Sequence, residues 1–297
     1  MLQWVRNHLV NRRMHTIDIL MTSGYAIPAS LHTLGLVLLW RAKSALRNQK
    51  ILTMNLAAAE SLYCVVSVAN LLGSHTFDSV FLTFSLFNAL FFAIRFAIFL
   101  IIIDRFLYVW LNIKYFNFMK KKTLKVAIFL QWLLSICLSA LFLTLIKLDC
   151  IDTKSVRHLS NIAYLTIDIA IIITAAFTCS YFFVTVRIAI HKDNNQQRGK
   201  RNWIKLWYKL KVPFLIVITF IIFNASSTVL AFIYYINNVD YSNYPKLLVA
   251  HLTLDILGCN ADVLIYIILQ KSVRCLLVSA FGGARRNEVD TMIMRHI

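Results

Sequence analysis

Seven long apolar runs dominate the chain, at about 17–40, 51–72, 79–110, 124–146, 160–189, 207–237 and 247–270. Each matches the roughly 20 helical residues needed to cross about 30 Å of hydrocarbon. The segments between them are short and polar, so no soluble domain fits anywhere along the chain. With 59% hydrophobic and 15% charged residues, the composition lies outside the range of soluble domains. The expected fold is therefore an all-α membrane protein, a seven-transmembrane helix bundle. Its expected divisions are a short extracellular N-terminus (1–16), the seven-helix domain (17–270), a short amphipathic surface helix (271–282) and a cytoplasmic tail (283–297).

The net charge of +18 invites a nucleic-acid reading, but the distribution of charge points elsewhere. Segments 41–50, 113–125, 187–211 and 271–297, with Arg105, hold 23 of the 31 Lys and Arg, whereas 1–16, 147–158 and 238–246 hold 7. Alternation of this kind follows the positive-inside rule, with the N-terminus outside and the tail inside. The basic segments then face an anionic lipid leaflet. A lipid membrane is the expected partner, and nucleic acid is not.

Within the third run, IIIDRFLYVW places an acid and a base, Asp104 and Arg105, where the run meets the basic side. Ionisable groups in a membrane-spanning helix are costly and mark working positions. Glu60, Arg95, Asp168 and Asp262 are further charges buried deep in the runs. Arg95 and Asp168 sit at comparable depth, and pairing would neutralise both; each could instead reach water in a central cavity. His251 and Asp255, one turn apart, could anchor a ligand or simply line a polar cavity shared with Phe87, Tyr164 and Tyr234.

Several stretches resemble signatures of the rhodopsin-like (class A) G-protein-coupled receptors. DRF (Asp104 to Phe106) is similar to the family's Asp-Arg-Tyr, and NLAAAE (Asn55 to Glu60) to its Asn-Leu-Ala-x-x-Asp. Trp132 falls mid-span four, Tyr181 near the inner end of span five, and DVLIY (Asp262 to Tyr266) resembles the (Asn/Asp)-Pro-x-x-Tyr of span seven. The resemblance covers roughly 20–282 and implies a receptor in the plasma membrane that carries an extracellular small-molecule or peptide signal to a heterotrimeric G protein. It implies a switch made of Asp104, Arg105, Phe106, Tyr181 and Tyr266, and an internal polar cavity lined by Asn55, Glu60 and Asp262.

The departures from the family pattern carry expectations too. Glu60 replaces an aspartate, and Ile94 replaces a small polar residue, which disfavours a sodium ion in the cavity. Val80 stands where the family has a cysteine, so Cys150 is expected to form no disulfide. Ile173 and Val263 replace prolines, and FIIFNASS (Phe220 to Ser227) replaces Phe-x-x-x-Trp-x-Pro, so straighter helices are expected. Leu206 occupies the place of the acid that often restrains the span-three arginine. The short second outer loop, the missing disulfide, the absent span-five proline and CNADVLIY (Cys259 to Tyr266) are together weakly similar to the melanocortin, cannabinoid and adenosine branch.

No lysine lies between Lys246 and Lys271, which excludes a retinal Schiff base, and Phe87 stands where amine receptors have an aspartate. No metal spacing, glycine-rich phosphate loop or catalytic set is visible, so neither an enzyme nor a cofactor is expected. A seven-helix transporter or channel, and a receptor-like scaffold that does not signal, are the competing readings. A transporter would show repeats and helices broken at matched positions, which the sequence lacks.

Overall fold

A computed structural model describes residues 2–41, 47–72, 77–111, 114–148, 153–192, 213–236, 245–269 and 273. These residues form helices α1 (Leu2–Arg41), α2 (Arg47–Leu72), α3 (Phe77–Leu111), the short α4 (Tyr115–Phe118), α5 (Lys121–Lys147), α6 (Thr153–Lys192), α7 (213–236) and α8 (Pro245–Leu269). Five helical stretches are long and apolar enough to cross a membrane: Asn48–Ala69, Ser85–Leu111, Lys121–Leu145, Leu159–Thr185 and Pro213–Ile233. α1 runs back to Leu2, so the segment expected only as a short N-terminus is helical and continuous with the first apolar run. Cys150, Leu206 and the tail 283–297 lie outside the described residues. So do the side chains of Val80, Tyr234 and Tyr266, and the surface helix expected over 271–282 except Val273, which is buried against Leu39.

The helices close a ring, α1 against α2 and α8, α6 against α5 and α7, and α7 against α8, with α3 packed inside it against α2, α5 and α6. A helix apolar on every side belongs in the centre. α3 carries Phe92, Ala93, Ala97, Ile98, Ile101 and Ile102 into the core from successive faces. The peripheral α5 and α6 instead turn large apolar side chains such as Phe129, Leu130, Ile136, Ile173 and Phe177 outward, as a hydrocarbon environment permits.

The expectation of straighter helices fails in α7. Its segment Phe220–Ala225 forms a π turn, and Ser226 Oγ donates back five residues to the Ile221 carbonyl at 3.3 Å. A π turn inserts about one extra residue and distorts a helix without proline. The wide turn presses on α8 at Gly258, where an added Cβ would stand 3.2 Å from Phe223 Cβ and 3.4 Å from the Asn224 amide. Only glycine permits so close an approach without movement.

Candidate functional site

At the basic end of α3, Asp104 and Arg105 are both buried. Arg105 Nη2 donates to Asp104 Oδ2, and the Tyr115 hydroxyl donates to Asp104 Oδ1. α4 exists to deliver that phenol: Asn48 Nδ2 donates to the Tyr115 oxygen at 3.1 Å and to the Met119 carbonyl at 3.0 Å, tying α2 to the loop. Burial, and then the neighbouring Asp104 charge, push the Tyr115 hydroxyl above its ordinary pKa. It therefore stays protonated, and stays a donor, throughout the physiological range. The Arg105 guanidinium lies 5.5 Å from the Tyr108 ring centre, while its Nε and Nη1 have no hydrogen-bond acceptor among the described residues. Phe106 points away from this network and packs on Phe177 and Tyr181, each at 5.6 Å between ring centres. Tyr181 is thus a neighbour of Phe106, and no contact joins it to Arg105 among the described residues.

Midway along the bundle, the structure brings Arg95 and Asp168 together. Arg95 Nε lies 2.8 Å from Asp168 Oδ1, and Nη2 donates to Oδ2 at 3.2 Å. Nη2 also donates to Thr228 Oγ1 at 2.7 Å, and Nη1 to the Phe91 carbonyl at 3.4 Å. The guanidinium carbon sits 3.8 Å from the centre of the Phe91 ring and 5.1 Å from that of Tyr164. A planar ion with a two-point partner and aromatic faces around it is the form in which buried charge is tolerated.

The acids of α2 and α8 form a second array. Glu60 Oε2 lies 3.4 Å from His32 Nδ1, and His32 Nε2 lies 2.9 Å from the Cys259 carbonyl. A carbonyl can only accept, so Nε2 carries the proton there. Thr219 Oγ1 completes the set by donating to Asp262 Oδ1 at 2.6 Å.

One turn and more along α8, Asp255 accepts from Ser227 Oγ at 2.7 Å and from the Tyr63 hydroxyl at 3.5 Å. Ser227 has a single proton and gives it to Asp255, so His251 Nδ1, 2.8 Å away, is the donor to the serine oxygen. His251 Nε2 stands 3.9 Å from Asp255 Oδ2. Between Glu60 and Asp255 a cavity of about 10 Å³ is walled by Tyr63, Phe91, Ile94 and Asn224, room for about one water molecule. Phe87 stacks beside this array, 4.9 Å from the Tyr63 ring centre. The Tyr164 hydroxyl donates to Asn88 Oδ1.

Asn55 requires a correction. Five residues on a helix are about 500°, which leaves Asn55 roughly 140° around α2 from Glu60. It faces α5, where Trp132 Nε1 donates to its Oδ1 at 2.9 Å and its own Nδ2 donates to Gln131 Oε1 at 2.6 Å. Gln131 in turn donates to the Ala93 carbonyl at 2.8 Å. Asn55 is a clamp between α2, α3 and α5 and takes no part in the acidic array.

Sequence reasoning missed His32, Tyr63, Tyr115, Thr219, Ser227 and Thr228. Of these only His32 left a usable signal, as an imidazole inside an otherwise apolar run. Among the described residues no three His, Cys, Asp or Glu side chains converge as metal ligands would. No protein-family model matches the chain, and no curated protein matches it.

Proposed function

We propose that the chain is a divergent rhodopsin-like receptor of the plasma membrane. Its seven spans, with the 17–40 and 247–270 runs as first and last, place the N-terminus outside and the tail in the cytoplasm. An extracellular small molecule or peptide binds near Phe87, Tyr164, Tyr234, His251 and Asp255. A heterotrimeric G protein is engaged at the inner face through Arg105, with Tyr181 and Tyr266 supporting the open state. The observation that carries this reading is Arg105 itself: one guanidinium nitrogen is held by Asp104 while the other two, with three N–H groups between them, have no acceptor among the described residues. A buried cation with spare donors is half of a two-state contact, restrained at rest and free to meet a partner backbone when the bundle opens.

The test is nucleotide exchange on purified G proteins by the reconstituted chain, with a panel of peptides and small lipids as ligands. Ligand-dependent exchange supports the receptor; its absence across the panel and across G-protein classes sinks it. The buried His32, Glu60 and Asp262 favour one competitor, a proton-conducting transporter, because ionisable groups inside a bundle are what a relay uses. Proton flux into liposomes separates the two readings.

The bridge to α4 makes a narrower prediction. Tyr115→Phe removes one of two donors that fix Asp104 toward Arg105. A hydrogen bond worth about 1 kcal/mol alters a two-state ratio about fivefold, so ligand-independent exchange should rise by about that factor. Basal exchange equal to or below that of the unaltered chain would show that the bridge restrains nothing.

A further inference from the structure

A pocket with about 60 Å³ of space opens at the basic end of the bundle, between α3, α6 and α7. Its walls include Ile102, Ala175, Thr178, Phe182, Pro213 and Val217, and Arg105 is the only charged residue among them. The Thr178 hydroxyl is committed to the Thr174 carbonyl at 2.7 Å. The walls are otherwise apolar. Arg105 is 4% exposed, with Nη2 on Asp104 and with Nε and Nη1 lacking any acceptor among the described residues.

Buried donors of a charged group are costly to leave unmet, and among the described residues no acceptor in these walls meets them. The remedy is an anion whose remaining bulk is hydrocarbon. The α6 wall runs from Ala175 to Phe183, a rise of about 12 Å, which suits an alkyl chain lying along the helix. Phe183 is 55% exposed, so the pocket is open on the side of the bundle that faces hydrocarbon. A single guanidinium matches a single small anionic head.

We propose that this pocket binds a long-chain fatty acid. Its carboxylate accepts from the spare N–H groups of Arg105, and its alkyl chain lies between α6 and α7. The site stands on pocket geometry and on the unmet donors, independently of the receptor reading. Its occupant competes with any other molecule that uses the same two nitrogens.

The experiment is photolabelling of the full chain in phosphatidylcholine nanodiscs by palmitate carrying a diazirine in its chain, with adducts mapped by mass spectrometry. Labels are expected on the α6 and α7 peptides that contain Ala175, Thr178 and Val217. Hexadecanol with the same diazirine should label them about tenfold less, the loss expected for one charge-assisted hydrogen bond. Ala175→Phe, which fills the pocket, should lose labelling to a similar degree. Thr178→Phe is the second variant should Ala175→Phe not fold, and the acid-to-alcohol comparison needs no substitution at all. Equal labelling by the alcohol, undiminished labelling of both variants, or stronger labelling of the same peptides by a diazirine phosphatidylserine would each overturn the proposal.

Discussion

Asp168→Ala should strip the chain of most of its folded yield, a larger effect than any substitution on the bundle surface. Arg95 would remain fully buried, and the Thr228 hydroxyl and the Phe91 carbonyl cannot neutralise it. Removing one member of a buried pair costs about 3–5 kcal/mol, a large share of the 5–15 kcal/mol that stabilises a typical fold. In detergent the thermal midpoint should fall on the order of 10 °C, with loss of the monodisperse peak. Replacing both residues, as Arg95→Met with Asp168→Leu, removes the charges together and should recover most of that loss. A single variant that melts with the unaltered chain would mean that water, rather than Asp168, solvates Arg95.

Arg105→Ala should reduce ligand-driven nucleotide exchange by at least about a hundredfold, since two charge-assisted bonds to a partner are lost and each is worth about 1.5–3 kcal/mol. Surface expression should change little. Asp104 keeps the Tyr115 hydroxyl as a donor, so the carboxylate left behind is not stranded. The two readouts together distinguish a signalling defect from a folding defect. Full exchange by a normally expressed Arg105→Ala chain would remove Arg105 from the switch.

The helical class and the membrane environment were legible because hydrocarbon imposes a length and a composition on every crossing segment. The proximity of Arg95 to Asp168 was legible for a related reason: charge in a bundle must be answered at its own depth, and few answers existed. Asn55 was misplaced because motif spacing was followed where helical rotation should have been. Tyr115 was hidden in a loop, where no periodicity says which way a side chain faces. The π turn was invisible because Phe-Ile-Ile-Phe-Asn-Ala has no proline or glycine to announce it. Gly258 on α8 is the recess that matches it.

That turn sets the phase of α7. Thr219 below it bonds Asp262, while Ser227 and Thr228 above it bond Asp255 and Arg95. In an unbroken α-helix Thr219 and Thr228 would point about 180° apart, and Thr219 and Ser227 about 80°. The inserted residue turns the upper half back by about 100°, which brings Thr219 and Ser227 to within about 20° of each other. A chain shortened by one residue between Phe220 and Ala225 would therefore keep its hydrophobicity and its length to within a single rise. Closed as an unbroken α-helix, it would leave Thr219 and Ser227 seven positions apart, again within about 20° of each other, so the lower acid and the upper pair would both stay satisfied. A second deletion, or an insertion, would turn the upper half by about a further 100° and change the wiring.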